Sequence, residues 1–255
     1  KNVLSDVIRK NNITDVYYNV DNTHYSRERD NECDKVCNEN NIIVHKYEDY
    51  TLHPMGSILT GSKTMYTVFT PFYDKAKQYR KDIPKPHTAN TIDYYDIKSD
   101  NIATKTFING LTTSYNTIAQ TEGTGTLRDH GLAALRRVNK SYSTTRDQPA
   151  TKGGTTMTSA HIKFGTISIR EAYVSFVKVE PLVRQLYWRE FYACLFNGLP
   201  KRRTIGGSNF KKLDIKWSKN KRWHNAWTKG ITGFPFVDAG MRQLNATGYM
   251  HNRAR

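Results

Sequence analysis

The 255-residue chain is long enough for one large domain or two smaller ones, and its composition excludes a disordered or fibrous protein. Its 39 Lys and Arg against 23 Asp and Glu leave a net charge of +16, which favours a polyanionic partner, nucleic acid first and a membrane surface second. No apolar run of membrane-spanning length occurs, and three cysteines are too few for a disulfide scaffold.

The absence of a signal-peptide pattern and of a disulfide framework predicts a protein that is not secreted. We expect a reducing intracellular compartment, which is the cytoplasm, the nucleus or a virus.

Residues 1–60 are predicted to alternate between helix and strand. The segments NVLSDVIRKN and SRERDNECDKVCNENN have helical spacing, and ITDVYYNV and IIVHKYE are typical of strands. This order predicts parallel strands with crossover helices, as in the doubly wound, Rossmann-like sheet of an α/β domain. Because two strands are too few for such a sheet, we expect its other strands before Lys1 or from another chain.

Residues 61–105 are predicted to be an interdomain linker with one short helix at PFYDKAKQYRK, because prolines and turn residues are frequent there. Residues 106–255 are predicted to form an all-helical domain, with helical periods at 127–138, 168–179, 181–197 and 235–247. The predicted fold is therefore a partial α/β domain followed by an all-α domain that is incomplete at its C-terminus.

One predicted helix, EPLVRQLYWREFYACLF, has two different faces. Its core face carries Val183, Leu186, Tyr187 and Cys194. Its other face carries Gln185, Trp188, Arg189 and Tyr192. The second face can hold a planar or anionic ligand. In the alternative, the helix buries Trp188 while Arg189 pairs with Glu190 or a neighbouring carboxylate, and spacing does not decide between the two.

Residues 201–229 contain ten Lys and Arg, one acidic residue, Asp214, and three interleaved tryptophans, Trp217, Trp223 and Trp227. Cations contact phosphates and indoles stack on bases, so this pattern predicts a nucleic-acid groove. The alternative is a solvated basic face over core tryptophans.

The segment GGTTMTSAHIKFG places hydroxyl and backbone N–H groups before a helix, which is the chemistry of a phosphate cradle, although a simple N-capped turn has the same pattern. The histidines lie scattered, so no metal site is predicted.

Taken in order, several segments resemble the DNA photolyase/cryptochrome family, and most closely the class I cyclobutane pyrimidine dimer photolyases. They are YYNVDNTHYSRERD, MGSILTGSKTMYTVFTPF, YSTTRDQPATKGGTTMTSAHIKFGTIS, QLYWREFY and WTKGITGFPFVDAGMRQLNATGYMHNR. The resemblance implies that residues 1–60 are the C-terminal part of the photolyase α/β domain. It also implies that residues 106–255 are the N-terminal part of the helical FAD-binding domain, so that the sequence lacks both ends of the family's fold.

The resemblance also implies the site residues. FAD contacts fall on Tyr142, Thr155, Thr156, Met157, Thr158, Ser159, Arg189 and Asn252. Contacts to the flipped dimer or the DNA backbone fall on Gln185, Trp188, Tyr192, Asn252 and Arg253. Trp217 matches the surface tryptophan of the electron relay that photoreduces the flavin.

The implied activity is light-dependent repair of cyclobutane pyrimidine dimers in DNA, by electron transfer from excited reduced FAD. Three departures from the family pattern matter. Gln185 replaces the usual Glu, Thr158 and Ala160 replace Leu and Pro, and Tyr25 with Ser26 replaces the Asn-Glu of members that bind a folate antenna, so no folate antenna is expected.

The sequence leaves two alternatives to a repair enzyme. One is a cryptochrome-like FAD-binding photoreceptor without repair activity, and the other is an inactive DNA-binding remnant. Because the family's remaining flavin contacts lie beyond the position that matches Arg255, we expect this chain alone to bind FAD weakly. A second polypeptide that completes the fold is an expected partner, beside DNA that contains pyrimidine dimers.

Overall fold

The computed structural model describes residues 2–86, 127–137, 140–198 and 216–255. In chain order, the described elements are α1 (Asn2–Asn11), β1 (Asp15–Asn19), α2 (His24–Glu39), β2 (Ile43–Tyr47), α3 (Phe69–Ala76), a 3-10 helix (Lys77–Asp82), α4 (Leu127–Arg136), α5 (Tyr142–Thr145), α6 (Ser159–Phe164), α7 (Ile169–Phe176), α8 (Glu180–Gly198), α9 (Lys221–Lys229) and α10 (Pro235–Thr247).

The chain divides into two compact units. The first comprises Lys1–Pro86 and Ser168–Asp214, and the second comprises His87–Ile167 and Ile215–Arg255. The domain boundaries expected near residues 60 and 105 stay a prediction.

The α/β order predicted for the first 60 residues is confirmed. The strands β1 and β2 pair in parallel, with Asp15 opposite Ile43 and Asn19 opposite Tyr47. On one side of the sheet, a buried cluster comprises Ile8, Val36, Cys37 and Ile42. The apolar spacing of α1 and α2 directs these side chains inward, so the two helices and the strands share one small core.

The opposite side of the sheet is open and aromatic. Tyr17 stacks on His45 at 4.2 Å between ring centroids, and Tyr47 lies parallel to Tyr17 at 6.4 Å. Tyr17 and Tyr47 are both exposed, as is Ile43 on the same side. In a doubly wound sheet this side is covered by helices, which the described residues do not supply here.

The helix expected in the linker forms, with different limits. It begins at Phe69 as α3 and continues from Lys77 as a 3-10 helix. In this 3-10 turn Arg80 donates to Glu180 of α8 at 2.8 and 3.0 Å. The turn is thereby attached to the helical part of the first unit.

A second core of the first unit is aromatic and lies between α3 and α8. Its buried members include Phe69, Phe72, Tyr73, Tyr187 and Phe191. Phe69 lies parallel to Tyr73 at 5.5 Å, and Phe72 contacts Phe191 at 5.4 Å between ring centroids. This core fixes the rotation of α8, which carries most of the candidate site in this unit.

The predicted helical periods of the second half form helices within three residues of their expected limits. Local signals explain several boundaries: α7 starts with a capping box of Ser168 and Glu171, α9 starts at the Asn220 cap, and α10 has Pro235 as its first residue. The three cysteines are free thiols.

Candidate functional site

The two faces of α8 differ in burial as the spacing predicts. Val183, Leu186, Tyr187 and Cys194 are all buried. On the other face Gln185, Trp188 and Arg189 are partly buried and Tyr192 is exposed. The helix therefore packs on one side and presents mixed polar and aromatic groups on the other.

Trp188 is held in one orientation by stacking. Its ring lies 3.6 Å from that of Phe69 with an interplanar angle of 7°. Phe191 meets the indole edge-on at 5.9 Å, and Tyr192 lies nearly parallel to it at 5.7 Å. Because these neighbours restrict its rotation, the indole has little conformational freedom left to lose when a ligand binds.

The alternative requires Arg189 to pair with a carboxylate, and no carboxylate in the described part of the chain does so. Its guanidinium donates to the backbone carbonyl of Tyr50 and lies 3.7 Å from the centre of the Tyr50 ring. Burial lowers the pKa of this guanidinium below its usual range. Such a desolvated cation stays charged, since arginine titrates far above neutral pH, and can hold an anionic or planar ligand.

Glu190 is a buried residue whose role the sequence did not reveal. The residue is 1% exposed, and its carboxylate accepts the backbone N–H groups of Leu52 at 2.8 Å and His53 at 3.3 Å. The same segment is held by a second bond, from His53 Nε2 to the hydroxyl of Tyr187 at 3.1 Å. Burial raises the pKa of Glu190 to about 7, although both N–H groups favour the charged form. The sequence signal that could have indicated a buried role is the position of this acidic residue inside an apolar helix pattern.

In the second unit, the predicted phosphate cradle is a turn whose threonine hydroxyl groups have hydrogen-bond partners within the unit. Thr155 Oγ1 lies 3.3 Å from the Tyr249 hydroxyl, and Thr156 Oγ1 lies 2.8 Å from Thr158 Oγ1. Met157 adopts φ 56°. No described residue accepts a hydrogen bond from the backbone N–H groups of residues 155–159. Five successive donors are thus available to a ligand, as a cradle requires.

Residues 249–253 lie in the same unit as the cradle. Arg253 donates through Nε to Asp147 at 2.9 Å, while the Asn252 side chain is exposed. His251 is buried, and its Nδ1 accepts the backbone N–H of Arg253 at 3.1 Å. The neutral ring then carries its proton on Nε2, which is buried without a described partner. Tyr142 lies in the same unit, and the resemblance implies that it contacts FAD. Its side chain is buried.

The three tryptophans of the basic segment lie at the surface. Trp217, Trp223 and Trp227 are 79%, 67% and 50% exposed. The alternative of core tryptophans under a basic face is therefore wrong for these side chains. Residues 201–215, with the other half of the basic run, lie outside the described residues.

Comparison with known proteins shows the family. A family model described as "DNA photolyase" matches residues 1–88, and one described as "FAD binding domain of DNA photolyase" matches residues 182–255. The chain belongs to the DNA photolyase/cryptochrome family. The second match covers α8, α9, α10 and the residues from Tyr249 to Arg255, where most of the implied site residues lie.

Curated relatives of this photolyase-family chain carry the name deoxyribodipyrimidine photo-lyase. That of Salmonella typhimurium is 30% identical over 268 residues, and that of Escherichia coli is 29% identical over 274 residues. Each alignment covers 99% of this chain and 55% of the relative. The chain thus spans about half the length of the curated relatives it matches.

Solved structures agree with this assignment. The archaeal photolyase from Sulfolobus tokodaii with two FAD molecules is 32% identical, with a TM-score of 0.74 over 99% of this chain and 55% of that chain. A cryptochrome from Synechocystis also has a TM-score of 0.74, but at 20% identity it shows the shared fold alone.

The residues present fit FAD, the cofactor of this family. The free N–H groups of residues 155–159 suit the diphosphate, and the unpaired donor of His251 lies next to Asn252 in the sequence. In the first unit, Arg189 supplies a fixed cation. Among the described residues no three His, Cys, Asp or Glu side chains form a metal-binding group, and no helix is long and apolar enough to cross a membrane.

Proposed function

We propose that this chain carries part of a light-dependent DNA repair enzyme that splits cyclobutane pyrimidine dimers, as a class I deoxyribodipyrimidine photo-lyase. The observation that supports it most is the outer face of α8. There Trp188 is held flat by Phe69 beside the desolvated Arg189, within the segment that matches the family's FAD-binding domain. A rigid indole next to a fixed cation suits a planar lesion in an anionic polymer.

FAD is the proposed cofactor. When bound and reduced, it supplies the light-excited electron donor for ring opening. We assign its diphosphate to residues 155–159 and its remaining contacts to Tyr142, Arg189 and Asn252. Their task is to bind and orient the cofactor and to keep water from it.

DNA that contains a pyrimidine dimer is the proposed substrate. The dimer must leave the base stack, at a cost that is smaller for a damaged, poorly paired step. We assign the flipped dimer to Trp188, Gln185 and Tyr192, and the DNA backbone to Asn252 and Arg253. The pairing of Arg253 with Asp147 fixes its position but leaves donors free for phosphate, since guanidinium has five.

Trp217 is the proposed outer member of an electron relay to the flavin. Its exposure of 79% is what a relay needs where it exchanges electrons with reductants in solution. We further propose that a second polypeptide completes the fold, because Val237 and Leu244 of α10 keep partly exposed apolar surface beside a cavity of about 350 Å³.

A single assay tests this proposal. The protein is reconstituted with FAD under reducing conditions, illuminated with blue light, and the loss of thymine dimers from an oligonucleotide is measured against a dark control. Repair in the light supports the proposal. Bound flavin without dimer loss contradicts it and favours the photoreceptor, and no binding of flavin even in excess FAD favours a DNA-binding remnant.

One residue favours the photoreceptor as second candidate. Gln185 replaces the Glu usual in class I photolyases, and among the described residues it donates to the Pro181 carbonyl of its own helix, at 3.5 Å. In the same assay, Gln185→Glu distinguishes the candidates, because a repair enzyme should gain repair rate from the restored carboxyl group and a photoreceptor should not repair in either form.

A further inference from the structure

The segment of residues 216–229 keeps three large aromatic side chains in water. Trp217, Trp223 and Trp227 are each at least half exposed. Tryptophan is normally among the more buried residue types, and a group of exposed indoles on one short segment is typical of a binding surface. The assigned roles of the proposed function include Trp217 alone, so Trp223 and Trp227 call for another explanation.

The geometry of α9 places these two indoles together. Trp223 and Trp227 lie four residues apart and therefore on one face of the helix, about 6 Å apart along its axis. The helix is fixed at both ends. At its start Asn220 Oδ1 accepts the N–H groups of Arg222 and Trp223, and at its end Asn245 donates to the Thr228 carbonyl at 2.7 Å. The two rings thus project from a rigid support.

The charge around the indoles has one sign. Residues 216–229 contain five cations and no acidic residue, and all five cationic side chains are exposed. They are Lys216, Lys219, Lys221, Arg222 and Lys229. None of them forms an ion pair with a described carboxylate. A surface with unpaired cations and exposed indoles is complementary to a polyanion that also has flat apolar groups.

We propose that residues 216–229 bind single-stranded nucleic acid, with the indoles of Trp223 and Trp227 stacked on bases and the five cations on phosphates. Every base has a π-face, so such stacking is tolerant of sequence. A duplex keeps its base faces stacked inside the helix, where indoles on a convex helix surface do not reach them. This binding needs neither a dimer nor a flavin nor light, and so goes beyond the proposed function.

The test uses the complete chain in the dark with an undamaged, dye-labelled oligo(dT) of about 16 nucleotides, followed by fluorescence anisotropy. We expect Trp223→Ala and Trp227→Ala each to weaken binding about tenfold, because one stacked base contributes about that factor. Trp223→Phe keeps an aromatic face and should retain most of the affinity. Phe164→Ala is the matched control, since Phe164 is an equally exposed aromatic residue of the same unit outside this segment.

Charge is tested separately. Lys221→Ala should lower the slope of log affinity against log salt by about 0.7, the value for one phosphate contact with a single strand. Far-UV circular dichroism confirms that each variant is folded. Trp223 and Lys221 are exposed, so their replacement leaves the core intact even where Trp227→Ala disturbs the contact of α9 with α10.

Three results would overturn the proposal. The first is an affinity of the Trp223→Ala variant within about twofold of the unaltered chain, against the tenfold loss expected for one stacked base. The second is duplex DNA of the same length bound as tightly as oligo(dT). The third is equal competition by poly-glutamate, which would show a general anion-binding surface. Because the assay omits light, flavin and lesion, these results are independent of whether the chain repairs dimers.

Discussion

The residue Glu190 shows how one side chain joins distant parts of the first unit. It lies 138 residues from Leu52, whose N–H it accepts, and it is buried. A buried carboxylate is costly unless it is paired or hydrogen-bonded, and here two backbone donors reduce the cost. Since its neighbour Arg189 holds Tyr50, adjacent residues of α8 together fix the segment from Tyr50 to His53.

This burial predicts a pH dependence of stability. The pKa of Glu190 is raised from 4.5 to about 7 in the folded chain. Between these values the folded state holds a proton that the unfolded state has released, so stability is fully present below pH 4.5 and falls as pH rises through 7, by about 3 kcal/mol at most. Glu190→Gln should remove this slope. Urea unfolding from pH 4.5 to pH 7.5 measures it.

The same comparison contains its control. Burial also lowers the pKa of His53, but His53 is present in both proteins. The difference in unfolding free energy between the two therefore isolates Glu190. Parallel stability curves for the two proteins would contradict the prediction.

Trp188 gives a second prediction at this scale, which depends on the proposed function. Trp188→Ala removes the stacking surface offered to a flipped base and should weaken binding to dimer-containing DNA about tenfold. Trp188→Phe keeps the contact with Phe69 and should bind nearly as well. Electrophoretic mobility shifts with dimer-containing and undamaged duplexes measure this. An equal loss on both duplexes would speak against recognition of the lesion.

At the scale of elements, local signals set where the helices begin. The α7 helix starts with reciprocal bonds, in which Glu171 N–H donates to Ser168 Oγ at 3.0 Å and Ser168 N–H donates to Glu171 at 2.8 Å. The sequence shows this pattern directly. The α10 helix also depends on a contact that sequence spacing does not show. Asp238 accepts the N–H groups of Thr232 and Gly233, and so folds the preceding turn onto the helix.

The cap of α7 carries a stability prediction. Ser168→Ala leaves the N–H of Glu171 without its acceptor and should lower the free energy of unfolding by about 1 kcal/mol. Ser168→Thr keeps a hydroxyl at the same place and serves as the control. Chemical denaturation measures the free energy of unfolding of both variants. An equal loss of stability in the threonine variant would mean that the missing cap hydrogen bond does not cause the loss in the alanine variant.

At the scale of the whole molecule, the charge of +16 dominates. Each phosphate contact with duplex DNA releases condensed counterions, so affinity for any DNA should fall steeply as salt increases. We expect a log–log slope of several units, with about 0.9 for each phosphate contacted. Titrations of undamaged duplex DNA at four or more salt concentrations measure it. A slope near zero would show that the net charge does not act in DNA binding.

The fold and the candidate site differ in how much the sequence predicts. Periodicity predicted α1, β1, α2, β2 and α8 because each depends on side chains that are close in sequence. It also separated the two faces of α8. It did not predict that Phe69 covers Trp188 or that Tyr50 receives Arg189. Such contacts join residues far apart in the chain, and no local pattern encodes them.

The sequence by itself therefore determined the family, the order of elements and the residue types available for FAD and DNA, because motifs, spacing and charge are properties of the chain. Only the tertiary structure decided which groups are free to act. The carboxylate of Glu190 already accepts two backbone N–H groups. The N–H groups of residues 155–159, by contrast, have no described acceptor. The reason is physical: a polar group can bind a ligand only where folding has not already supplied its partner.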